Sequence, residues 1–207
     1  MHPLARMITK GSTWASVINF KSSPFAKGWQ NRVTQSIQWV LCFLCCLPPM
    51  SCATEYLTRD EFLQGAFDDS VPPPQTAWLR GELREGVKHI LGHRYSSLRI
   101  RFWRIDTTQP RTAWILKEIG KELPITVGVV VDNGVIESVQ VLEFRESRGG
   151  EVRYPAFTRQ FESMTLTDQF QLSGNIDGIS GATLSVSALK RLCRLALYLH
   201  DYATAIE

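Results

Sequence analysis

Two runs rich in β-branched residues, Ile125 to Val131 and Val135 to Phe144, are separated only by Asp132-Asn133-Gly134. Asn-Gly accepts positive φ at both central positions of a two-residue turn, so the runs are expected to pair as an antiparallel hairpin. Any fold this chain adopts must accommodate that sheet. Upstream, Leu98, Ile100 and Phe102 alternate with Arg99, Arg101 and Trp103. That is strand periodicity, with the second set facing out. The stretch Ala113 to Ile119 fits either element; strand is the preferred reading.

Helical signals lie on both sides of the sheet. Thr58-Arg59-Asp60-Glu61 fits a capping box, with Leu57 and Phe62 placed as a hydrophobic staple, and a short helix is expected to about Phe67. Pro72-Pro73-Pro74 forces an extended linker. Leu79, Leu83, Val87, Ile90 and Leu91 recur at helical spacing, and Gly92 is placed to stop the helix. Near the end, Leu189, Leu192, Cys193, Ala196, Leu199 and Ala203 form an apolar stripe, with Lys190, Arg191 and Arg194 expected to face out. The expected class is α+β: a small antiparallel sheet, flanking helices and a C-terminal helix.

Charge is unevenly placed. Residues 1–53 contain Arg6, Lys10, Lys21, Lys27 and Arg32 and no Asp or Glu. Without them, the formal net charge of +3 becomes −2. The basic stretch precedes an apolar run, Trp39 to Leu47, then Pro48-Pro49 and the small residues Ser51-Cys52-Ala53. This pattern reads as an export signal with cleavage expected after Ala53. The apolar run is shorter than the ~20 residues of a bilayer span; an uncleaved anchor is the rival reading. The expected organisation is an export signal at 1–53, a helical and strand part at 54–112, and a core at 113–207. Only Cys193 lies beyond the leader, so no internal disulfide and no cysteine metal cluster is available there. The acidic balance also removes the electrostatic case for nucleic acid, leaving only Arg94, Arg99, Arg101, Arg104 and Trp103 to argue for it.

The chemically informative stretch is Asp177-Gly178-Ile179-Ser180-Gly181-Ala182-Thr183-Leu184-Ser185. It combines a glycine-rich turn, small side chains and a hydroxyl at the start of the last helix. Helix N-termini carry unpaired N–H groups and a positive dipole end, which suits a phosphate. The same residues also fit a plain turn, with Ser180 or Thr183 as a helix cap.

This stretch resembles the flavinylation signature of the FMN-binding domain family, D-x-x-[S/T]-G-A-T. The family includes the C subunit of the sodium-translocating NADH:quinone reductase and the G subunit of the Rnf complex. The resemblance implies FMN carried covalently through a phosphoester on Thr183, with Asp177, Ser180, Gly181 and Ala182 as the recognition signature. It implies a flavin transferase that uses FAD and magnesium. It also implies an extracytoplasmic electron carrier whose partner is a membrane reductase or a cytochrome. Glu143 to Gly149 resembles a second family element, E-x-x-E-T-P-G, with Ser147 in place of Thr and Arg148 in place of Pro. Glu146 and Ser147 are therefore expected at the flavin, and the chain resembles a soluble, exported branch.

Around these elements, Arg148, Arg153 and Arg159 are candidates to stabilise a reduced ring or the phosphate, or are surface charges. Tyr154, Phe157 and Phe161 are candidates to stack on the ring, or are core. No Ser-His-Asp set, paired carboxylates or Gly-x-Gly-x-x-Gly accompanies them, which favours an electron carrier over a self-contained catalyst. Two other functional classes stay open. Glu85, His89 and His93 recur at helical spacing, the pattern of a metal or haem ligand set. A cofactor-free interaction module of the same fold is the third.

Overall fold

The computed structural model describes residues 54–105 and 108–205. The export-signal reading and the expected cut after Ala53 fall outside the described residues. The first strand, β1 (Thr54–Glu55), leads into helix α1 (Arg59–Ala66). The capping box is formed: the Thr58 hydroxyl accepts from the Glu61 N–H, and the Glu61 carboxylate accepts from the Thr58 N–H at 2.8 Å. Edge strand β2 (Gln75–Trp78) follows the three prolines and was not legible in the sequence. Four residues after a polyproline run carry too little periodicity to read. Helix α2 (Gly81–Leu91) ends where Gly92 adopts φ 79°. Next come β3 (Arg99–Ile105), β4 (Arg111–Ile119), β5 (Pro124–Asp132) and β6 (Val135–Phe144). Two 3₁₀ turns flank the short helix α3 (Pro155–Thr158), and a non-repetitive excursion then leads to α4 (Thr183–Ala205).

The six strands form one antiparallel sheet in the order β1-β6-β5-β4-β3-β2. The α+β expectation holds, and Ala113–Ile119 is strand. The β5–β6 turn has Asn133 at φ 49° and Gly134 at φ 75°, so both central residues use the positive φ that Asn-Gly tolerates. Both faces of the sheet are covered. One face carries α2 and α4 over Phe102, Trp114, Leu116, Val127 and Val129. The other carries α1 over Trp103, Ala113, Val130 and Leu142. Two expectations for β3 therefore fail: Trp103 is buried beneath α1, and Leu98 lies 60% exposed just before the strand. Alternation identified the two faces, but could not show that a helix covers the second.

Helix α4 is buried on more than the expected stripe. Ala188, Leu195 and Leu197 join the predicted positions at 0–1% exposure. Each such leucine removed from water contributes ~1.5–3 kcal/mol. Arg191 and Arg194, expected to face out, are half-buried and tied down. Arg191 pairs with the buried Glu118 of β4 at 3.1 Å. Arg194 donates to the Ile90 carbonyl of α2 at 3.2 Å and to Gln171 Oε1 at 3.1 Å. No helix among the described residues is long and apolar enough to cross a membrane.

A second polar pin sits near the far end of α4. His200 is buried; its Nε2 accepts the Gly134 N–H at 3.0 Å, and its Nδ1 lies 2.7 Å from Thr112 Oγ1. Trp114 Nε1 donates to the same hydroxyl at 2.8 Å. Accepting at Nε2 requires the neutral ring. Burial, reinforced by the Arg104 charge and opposed by Asp132, depresses the imidazole to about 4. An unfolded-state histidine titrates near 6.5. The folded value is the lower one, so the unfolded chain binds the proton first. Stability is then full above about pH 6.5 and falls towards pH 4, by at most about 1.4 kcal/mol per pH unit. Denaturant midpoints from pH 7 to 4.5 should drop less steeply for His200→Gln than for the wild type. Parallel profiles would exclude His200 as the source.

Candidate functional site

The two motif elements, about thirty residues apart in sequence, meet in space. The β6 exit strand runs into Arg145–Gly149, and this loop packs on the first turn of α4. Between them lies an open pocket of about 670 Å³, within the range of small-molecule sites. Glu146, Ser147 and Arg148 form one wall; Gly181, Ala182, Thr183, Leu184 and Ser185 form another. Lys121 and Glu122 close a third side from the β4–β5 turn. Sequence reasoning missed that turn, because nothing in it marks chemistry.

The helix start follows from local geometry. Gly181 takes φ 80°, a conformation open to glycine at little cost. Buried Ala182 then donates to the Ile179 carbonyl at 3.0 Å and accepts from Val186 N–H at 2.9 Å. Thr183 is the first helical residue and is exposed. The N–H groups of the first turn, as at any helix start, have no intrahelical acceptor. The positive end of a 23-residue helix thus opens beside the Thr183 hydroxyl.

Gly149 sets the distance between the walls. It sits at φ 86°, and a Cβ built there would lie 2.6 Å from Ser185 Oγ and 3.4 Å from Ala182 Cβ. Ser185 is buried by this contact. Glu146 organises the third side: its Oε1 accepts from the N–H groups of Lys121, Glu122 and Leu123 at 2.6, 2.6 and 2.9 Å. Burial pushes that carboxyl up, but the three N–H donors and the Lys121 charge outweigh it and hold it below the usual carboxylate range. Glu146→Ala should therefore speed amide exchange at residues 121–123 at least tenfold, while the core of α4 stays protected. Unchanged exchange at 121–123 would show that the turn holds without it.

Of the seven residues singled out in the sequence, Glu146, Ser147, Gly181, Ala182 and Thr183 line the pocket. Asp177 and Ser180 are exposed on the turn leading into it and do not form its wall. The Asp177 N–H donates to Gln160 Oε1 at 2.8 Å, which fixes the approach of that turn. Among the arginines, only Arg148 reaches the pocket. Arg153 is held between Tyr56 and Tyr154, 4.6 Å from each ring centroid. This cluster borders a shallower hollow of about 290 Å³ that shares Glu146, Ser147 and Arg148 with the main pocket. Arg159 is exposed and lines neither. Phe157 and Phe161 do not stack on anything outside the fold. Both are buried and pack edge to face at 5.7 Å, as core residues.

The histidine reading finds no ligand set. His89 packs edge-on against Phe170 at 5.4 Å. His93 lies beyond the end of α2, its Nε2 2.9 Å from Glu118 and its Nδ1 2.9 Å from the Arg94 carbonyl. No group of three His, Cys, Asp or Glu placed to hold a metal occurs among the described residues.

Residues 120–198 match the sequence family described as FMN-binding domain. That segment contains the pocket's three sides and most of α4. Among solved structures, the crystal structure of Shewanella oneidensis NqrC superposes with a TM-score of 0.52 at 12% identity, covering 70% of this chain and 96% of that one. At that identity the likeness establishes the fold. No curated protein matches the chain.

Proposed function

We propose that this protein, whose residues 120–198 match the FMN-binding domain family, carries FMN covalently, through a phosphoester to the Thr183 hydroxyl, and serves as an extracytoplasmic electron carrier. The observation that carries this reading is the single pocket in which Glu146 and Ser147 face Gly181, Ala182 and exposed Thr183. When bound, FMN supplies two-electron acceptance and one-electron release.

The chain's residues supply attachment and electrostatics. The Thr183 hydroxyl takes the FMN phosphoryl from FAD, giving up its proton as AMP departs; a flavin transferase with magnesium catalyses the exchange. The Thr183 side chain is exposed, so such an enzyme has access to it. The α4 N-terminus favours the phosphate's negative charge, and Arg148 adds a positive charge at the rim, where Lys121 pairs with Glu122 at 3.1 Å. Glu146 holds the Lys121–Leu123 turn in place as a wall. Asp177 and Ser180, off the wall but exposed, are available to the modifying enzyme. The leader delivers the chain across the membrane, where an ester keeps the cofactor from being lost. The redox partner is a membrane reductase or a cytochrome.

The test is intact mass and in-gel fluorescence on protein exported with a flavin transferase. A mass gain of one FMN less one water, mapped to Thr183 and fluorescent after denaturation, is the expected result. An unmodified chain alongside a modified control acceptor would overturn the covalent reading and leave a non-covalent binder or a cofactor-free module.

A further inference from the structure

A second concave site lies along α4, about two turns beyond Thr183. Its volume is about 420 Å³. Ser187, Lys190, Arg191 and Arg194 share one face of the helix at spacings of three and four. The Gln171–Asn175 part of the excursion before α4 closes the other side. No carboxylate is among its lining residues.

Both guanidinium groups are held by hydrogen bonds to neighbouring elements. Arg191 is anchored through Nε and a terminal nitrogen on Glu118, each at 3.1 Å. Arg194 is anchored on Gln171 Oε1 and the Ile90 carbonyl. Its Nε is buried with no hydrogen-bond acceptor. Burial, and then the neighbouring Arg191 charge, hold the Arg194 guanidinium below its ordinary range. Lys190, Asn175 and Ser187 bring further donors that the fold leaves uncommitted. The charged groups lining the site are all cationic, Asn175 and Ser187 can each donate as well as accept, and the Gln171 Oε1 acceptor is engaged by Arg194.

We propose that this pocket is an oxyanion site, separate from the Thr183 pocket, that takes a small phosphate- or carboxylate-bearing molecule. Two oriented guanidinium groups with an ammonium and an amide suit an oxyanion that accepts through two or more oxygens. The site does not depend on whether Thr183 carries flavin.

The test is an amide-shift titration of the full chain with inorganic phosphate, and separately with malonate, at constant ionic strength. Saturable shifts at Asn175, Ser187 and Lys190 are expected. Lys190→Glu and Asn175→Asp should each weaken binding at least tenfold, whereas Lys88→Glu on α2 should leave it unchanged. Tighter phosphate binding assigns a phosphate ester, and tighter malonate binding a carboxylate. Thr183→Val should give the same titration. Shifts that do not saturate, that fall only on the α4 N-terminus, or that survive both pocket substitutions would overturn the proposal.

Discussion

Thr183→Val is expected to abolish covalently bound flavin while leaving folding stability within about 0.5 kcal/mol. The side chain is exposed at the first position of α4, so the swap removes a hydroxyl without opening a cavity. Valine keeps the branched shape, and at a helix start its lower propensity weighs little. The measurement is fluorescence in a denaturing gel with intact mass, on wild type and variant exported with the same flavin transferase. Thr183→Ser keeps the nucleophilic oxygen and should retain label that Val loses. Label persisting in Thr183→Val would move the ester elsewhere, and Ser180 and Ser185 flank the site as the hydroxyls to map next. The melting midpoint separates chemistry from folding: lost label with an unshifted midpoint assigns the effect to the missing oxygen.

Gly149→Ala is expected to lower stability by roughly 2–4 kcal/mol and to deform the pocket. Two effects combine. The backbone there sits at φ 86°, where any Cβ is strained. The added methyl would also meet Ser185 Oγ at 2.6 Å. A double-mutant cycle separates them. Ser185→Ala removes the oxygen, so the double variant should recover the steric part and keep the backbone part. Chemical denaturation gives the four stabilities. Flavinylation of the single variant should fall further than its folded fraction, because the loop bearing Glu146 to Arg148 is displaced from Thr183. A Gly149→Ala protein with wild-type stability and labelling would show that the two walls are not set by this contact.

The hairpin, the capping box, the end of α2 at Gly92 and the apolar stripe of α4 were all legible, because each is decided within a few residues. Asn-Gly sets its own turn, and Thr58 reaches only as far as Glu61. The stretch Asp177 to Thr183, which resembles the flavinylation signature, was legible for the same reason: its residues are contiguous. Edge strand β2 was not legible, since its pairing with β3 determines it more than its own four side chains do.

Which faces are covered was also beyond local reading. Trp103 looks exposed by alternation until α1 crosses the second face of the sheet. Arg191 and Arg194 look solvated until Glu118 and the Ile90 carbonyl arrive from other elements. Phe157 and Phe161 were open to either role until the core enclosed them.

By itself, then, the sequence determined the hairpin, the three longer helices, the class and the motif that bears Thr183. The resemblance implied Glu146 and Ser147 beside that motif; tertiary structure brought Glu146 to Arg148 there, and it alone decided that the Lys121–Leu123 turn joins them. The reason is physical. The placement of α4 on the sheet and its exit loop rests on contacts distant in sequence: Gly149 after β6 against Ser185, and Arg191 on Glu118 of β4, with His200 against Thr112 at the far end. Such contacts depend on shape and on buried polar pairing between elements, and neither is written in any local pattern.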